Sequence, residues 1–101
     1  MKRYKVIFLP HAEARLGAIE AYLAEQSSQA IAERFMAALV DRALNLDCFP
    51  FRGTPRDDLM RGLRTIVHRR TVTIAYVVDG DEVAVTDFLY RGEEVGGRFS
   101  A

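Results

Sequence analysis

The architecture turns on residues 71–90, TVTIAYVVDGDEVAVTDFLY. In its first half Val72, Ile74, Tyr76 and Val78 alternate with Thr71, Thr73, Ala75 and Val77. A period of two places the first set on one strongly apolar strand face, and β-branched residues suit the pleat. Asp79-Gly80 follows and predicts a two-residue type I′ turn, which needs positive φ at both central positions. Val83 to Tyr90 then forms the last strand of a hairpin.

Upstream, Leu63 to His68 is a further β-branched run and reads as a strand. Before it, Phe49-Pro50-Phe51-Arg52-Gly53-Thr54-Pro55 ends a helix and opens a loop reaching Gly62, because prolines and a glycine so close together deny both regular structures. That helix carries a wide apolar stripe, Ile31, Phe35, Met36, Leu39, Val40 and Leu44, and Ser27-Ser28-Gln29 offers serine caps at its start. An earlier helix runs from Pro10 to about Gln26, with Ala12, Leu16, Ile19 and Leu23 on one face and Glu13, Arg15, Glu20 and Glu25 on the wet side. The short serine link makes the two helices a hairpin. Tyr4 to Leu9 is the first strand, stopped by Pro10.

The element order is therefore β-α-α-β-β-β. It predicts an α+β fold, a helical hairpin packed on one face of a mainly antiparallel four-stranded sheet. The 101 residues, half of them hydrophobic, suffice for a single domain spanning residues 1–101. Equal numbers of basic and acidic residues, 14 each, disfavour general nucleic-acid binding. Charge is nonetheless segregated, with six arginines between Arg52 and Arg70 against Asp57 and Asp58, and six acids between Asp79 and Glu94 against Arg91. No internal disulfide is available to the single Cys48, and Val6 to Leu9 before Pro10 is too short for a signal core or a membrane span, so a soluble cytoplasmic protein is expected. The tail from Glu93 to Ala101 carries few apolar groups and is expected to be loosely held.

Several of these features combine into a resemblance. Pro50-Phe-Arg-Gly53, Gly62-Leu-Arg64 opening a strand, Tyr76 in the middle strand, Gly80 in the hairpin and a last strand closing on an aromatic resemble, in that order, the ParE/RelE superfamily of type II toxin-antitoxin toxins. The chain looks most like the ParE branch, the plasmid-stabilisation proteins. The resemblance implies a toxin held by a ParD-like antitoxin whose C-terminal segment wraps over it. It further implies one of two activities, poisoning of DNA gyrase or ribosome-dependent cleavage of mRNA.

Cleaving RNA without a metal requires a base for the 2′-OH, an acid for the leaving oxygen and cations at the phosphate. The middle strand carries Thr73 where RelE-like enzymes have an arginine, and the last strand leads into Arg91-Gly92-Glu93-Glu94, whose carboxylates repel an RNA backbone. The cutting set looks incomplete, which leaves the activity that the ParE-like resemblance implies: a non-enzymatic gyrase inhibitor without cofactor or metal is expected, touching DNA only through its antitoxin and no membrane. Arg64, Tyr90 and Arg91 are the catalytic candidates of the alternative RNase reading.

Antitoxin contacts are expected at Ala18 and Tyr22 on the margin of the first helix, at Leu59 and Met60 in a polar loop, and at Phe88, Leu89 and Tyr90, where both strand faces are partly apolar. Target contacts are expected at Arg64, Arg69, Arg91 and Arg98. Arg64 alternatively forms a structural salt bridge with Asp87, whose charge interrupts an apolar run. His68 and Arg70 are expected at the solvated end of a hairpin, His11 at a helix start, and Cys48 as a small buried hydrophobe.

Overall fold

The structure, a computed structural model, describes residues 2–91. The order is β1 (Lys5–Phe8), α1 (Pro10–Gln26), α2 (Gln29–Leu44), β2 (Thr54–Pro55), β3 (Leu63–His68), β4 (Val72–Asp79) and β5 (Glu82–Tyr90), with single-turn 3-10 helices at Asn45–Asp47 and Pro50–Arg52. The strands form one sheet in the order β1-β5-β4-β3-β2. Only the β1–β5 pair is parallel. The expected α+β arrangement is therefore present with five strands rather than four. The extra strand pairs Thr54 with Thr65 and Pro55 with Arg64 at the sheet edge, where a proline costs no ladder bond.

Sequence chemistry sets the element ends. Pro10 is the first residue of α1, where a missing N–H is harmless. The Ser28 hydroxyl caps α2 by accepting from the Ile31 N–H at 3.2 Å. The β4–β5 turn differs from expectation. Asp79 stays in the ladder opposite Glu82, and among the turn residues only Gly80 has positive φ, at 60°. This is the pattern of a turn with glycine at its first central position, not of type I′. Left-handed conformation appears instead at two consecutive arginines in the β3–β4 turn, Arg69 (φ 51°) and Arg70 (φ 57°).

Val72, Ile74, Tyr76 and Val78 face the helices as their alternation demands, in one cluster with Ile19, Met36, Leu39, Ile66, Val83, Val85 and Phe88. The buried stripe of α2 is Ala32, Met36, Leu39 and Ala43. Ile31 and Leu44, expected in the core, are nearly half exposed because the helix turns its small residues inward for close packing. On the opposite sheet face Leu63, Ala75 and Leu89 form a smaller cluster flanked by Leu59 and Val77.

A register shift at Ala75/Tyr76 leaves Thr86 as an extra residue in β5, with its hydroxyl donating to Ala75 O at 3.2 Å. Such a bulge reverses which parity of residue points inward. Val83 and Val85 face the helices before it, Phe88 and Tyr90 after it. β1 stops at Phe8, opposite Val85. Beyond that point α1 runs beside β5 in place of a strand, and Arg15 Nε donates to Phe88 O at 3.0 Å.

Among the described residues no helix is long and apolar enough to cross a membrane, and no three His, Cys, Asp or Glu side chains group to hold a metal ion. The expectation about the tail from Glu93 to Ala101 lies outside the described residues.

Candidate partner-binding groove

Arg15, Ala18, Ile19 and Tyr22 fall at spacings of three, one and three along α1, which puts all four on one helical face. With Tyr90 at the end of β5 they line a groove of about 220 Å³. Its floor is apolar because Ile19 is buried and Ala18 adds only a methyl. The Tyr22 and Tyr90 rings meet edge to face, centroids 5.5 Å apart, a favourable geometry for aromatic quadrupoles. Tyr22 is half exposed, so the groove's rim remains open.

The groove's polar end is fixed by a buried carboxylate. Asp87 is 3% exposed. It lies 3.7 Å from Arg15 Nε and 3.4 Å from His11 Nε2, and its Oδ1 accepts the Phe88 N–H at 2.8 Å. A carboxylate so far from water needs such partners. The Arg64–Asp87 bridge considered from sequence is thus absent, and the Arg15 and His11 side chains beside Asp87 come from α1. Arg64 Nη1 instead donates to Phe51 O at 2.8 Å and Gly53 O at 2.9 Å.

Of the residues expected to contact an antitoxin, Ala18, Tyr22 and Tyr90 converge here. Phe88 and Leu89 do not reach the surface, being 0% and 2% exposed. Phe88 packs edge to face on Phe8 at 5.8 Å, and Leu89 lies in the cluster on the other sheet face. Leu59 flanks that same cluster and is partly buried for a packing reason, whereas Met60 stays exposed in its loop. Arg15 and Ile19 were missed, although their helical spacing from Ala18 and Tyr22 was visible in the sequence.

The three catalytic candidates of the RNase reading do not converge. Arg64 is opposite Tyr76, whereas Tyr90 is opposite Val72. Four residues along β4 separate the two levels, about 13 Å at the usual strand rise, with a strand between them. Arg91 follows Tyr90, its guanidinium 5.8 Å from that ring. Arg69 stands at this same end, next to His68, which pairs with Val72. Arg98 lies outside the described residues.

His68 corrects another expectation, because it is 6% exposed and not solvated. Its ring meets Phe35 edge to face at 5.8 Å, and its Nε2 is buried without a hydrogen-bond partner among the described residues. Burial, with Arg69 and Arg42 nearby, pushes its pKa below the ordinary histidine value. Tyr76 is fully buried. Its hydroxyl donates to Pro50 O at 2.7 Å and accepts the Gly53 N–H at 3.1 Å. Burial raises its pKa, so it remains a phenol at neutral pH. Cys48 is only partly buried, and Arg3 Nη1 reaches its Sγ at 2.7 Å from 45 residues away.

Comparison with known proteins matches residues 6–95 to the family described as "ParE toxin of type II toxin-antitoxin system, parDE". Among solved structures, a chain of the "Chromosomal ParDE TA system from P. aeruginosa" superposes with a TM-score of 0.77 at 19% identity, covering 89% of this chain and 98% of that one. A chain of the toxin-antitoxin complex RelBE2 from Mycobacterium tuberculosis superposes with a TM-score of 0.68 at 24% identity, covering 88% and 99%. No curated protein matches. At such identities the two structures establish likeness of fold.

Proposed function

The chain belongs to the ParE toxin family of type II toxin-antitoxin systems, and from that premise we propose that it is held in the cytoplasm by a ParD-like antitoxin and, once freed, inhibits DNA gyrase by protein contact. The antitoxin seats an apolar helical face over Ala18, Ile19 and Tyr22, with Tyr90 as the far wall. Met60 lies at the other end of the sheet, its carbonyl accepting the Leu63 N–H, and is not part of this groove. Arg64, Arg69, Arg91 and Arg98 are assigned to the target, and no cofactor takes part.

One observation carries the non-enzymatic reading. Arg64 stands about 13 Å along the sheet from the level of Tyr90, with two hydrogen bonds committed to loop carbonyls. A phosphodiester cannot touch both ends at once, so Arg64 is not brought to the end where Tyr90 and Arg91 lie together, and the three-residue cutting set is not assembled in one place.

The test incubates purified, antitoxin-free chain with gyrase and relaxed plasmid, and in parallel with translating ribosomes. Loss of supercoiling with intact mRNA is the expected result. Ribosome-dependent mRNA cuts with unaffected supercoiling would overturn the proposal.

A further inference from the structure

Two phenylalanines leave the single-turn helix at Pro50–Arg52 and face solvent, Phe49 being 66% and Phe51 56% exposed. Among the described aromatic residues these two are the most exposed large side chains, and nothing in the core requires them outside. Phe49 sits at φ 54°, a conformation that is an outlier for a bulky residue and is found where surrounding structure enforces it.

Phe51 is held as well as exposed. Its ring meets Tyr4 edge to face, centroids 6.3 Å apart, and the Arg64 guanidinium lies 5.1 Å from its centre. Arg64 also binds the Phe51 carbonyl. The ring is therefore oriented before any partner arrives, which removes the ordering cost that usually weakens an exposed side chain as an anchor. Beside it opens a hollow of about 150 Å³ between Phe51, Pro55, Asp57, Leu63, Arg64 and Val78.

Positive charge predominates beside these rings, with Asp57 as the carboxylate that lines the hollow. Arg52 donates to Asn45 O, and Arg64 to Phe51 O and Gly53 O, so both guanidiniums meet carbonyls and neither has a carboxylate within ion-pair distance among the described residues. The nearby acids are committed elsewhere: Asp58 to Arg56, Asp57 to the Gly62 N–H and Asp47 to Arg3. Rigid aromatics flanked by arginine have the composition of energetic centres in protein interfaces.

We propose that Phe49, Phe51, Arg52 and Arg64 form the surface that engages the toxin's protein target, through an acidic region of that target with an apolar recess for the two rings. This rests on the protein-binding reading above and deepens it by choosing one end of the sheet. The site is remote from the Tyr22–Tyr90 groove, and this choice leaves Arg69 and Arg91, which stand at the groove's end of the sheet, outside the target surface. Single-stranded nucleic acid is the less suited occupant, because the guanidiniums spend donors on the protein's own carbonyls and the chain has no net positive charge.

The test uses the full chain carrying Phe49→Gly, Phe51→Ser, Arg52→Glu or Arg52→Lys. Growth arrest on induction, inhibition of purified gyrase and the melting temperature are measured for each. Glycine relieves the left-handed backbone, so Phe49→Gly should melt no lower than the parent while requiring at least about tenfold more protein for equal arrest. Phe51→Ser and Arg52→Glu should lose activity similarly, and Arg52→Lys, which keeps the positive charge, should lose less than Arg52→Glu.

Undiminished arrest by both phenylalanine variants would overturn the proposal, and full activity of Arg52→Glu would overturn the acidic character of the partner. Binding of a labelled single-stranded RNA that Phe51→Ser abolishes would overturn the protein occupant. A parent chain that arrests growth but spares supercoiling would refute gyrase alone, leaving the surface to be judged by growth arrest. A parent chain without growth arrest would refute both readings.

Discussion

Replacing Gly53 by alanine should unsettle the fold through a single oxygen atom. A Cβ at this position would overlap the Tyr76 hydroxyl and come within 3.0 Å of Thr65 O and Tyr76 Cζ. Tyr76 is fully buried and has no room to withdraw, so the loop must move. Movement breaks the bonds from Tyr76 to Pro50 O and from Gly53 to Tyr76. Leaving two buried polar groups poorly paired costs about 2–4 kcal/mol, a large part of a small domain's roughly 5–15 kcal/mol.

Tyr76→Phe should cost about 2–3 kcal/mol by abandoning the same two groups without any overlap. In the double variant the overlapping oxygen is gone, and only the two contacts at 3.0 Å remain tight. Its cost should therefore approach that of Gly53→Ala alone, a coupling of about 2–3 kcal/mol between contacting sites. Equilibrium urea unfolding followed by far-UV circular dichroism measures all four corners of the cycle. Costs that add to within about 0.5 kcal/mol, as independent sites do, would refute the account of Gly53 as space reserved for the hydroxyl.

Three further outcomes are expected. Burial holds the His68 pKa below its ordinary 6.5, so the unfolded chain takes up the proton first. Stability is then full above that value and declines as the pH falls towards the folded-state pKa, a slope that His68→Leu should flatten in urea titrations at successive pH values. Ala18→Arg should fill the groove beside Tyr22, weakening a ParD-like antitoxin by about tenfold or more in calorimetry, with stability changed by less than about 0.5 kcal/mol and free toxicity intact. Ser28→Ala should cost about 1 kcal/mol in thermal unfolding by removing the acceptor for the Ile31 N–H.

The element order was legible because each segment repeats one period: two for β4, and three to four for both helices. Features that depend on contacts between distant segments were not. Thr54–Pro55 is too short for any period and becomes a strand only because β3 lies beside it. His68 reads as surface among Arg69 and Arg70, and only the arrival of Phe35 from α2 buries it. The misassignment of Phe88 to the surface follows from the bulge at Thr86. Its trace was present in the sequence as a switch of apolar parity between Val85 and Phe88. In the groove, Ala18 and Tyr22 were found by helical spacing, which equally marked Arg15 and Ile19.

Arg15 carries a consequence for the toxin once it is alone. Past Val85 the outer margin of β5 has no described strand beside it, and an open margin of this kind invites a second copy to pair with it. The guanidinium bonded to Phe88 O occupies that margin, where an incoming strand would have to displace it. Arg15→Ala should accordingly yield concentration-dependent oligomers in light scattering, which tests whether the reach of one arginine keeps the margin of β5 closed to a second copy.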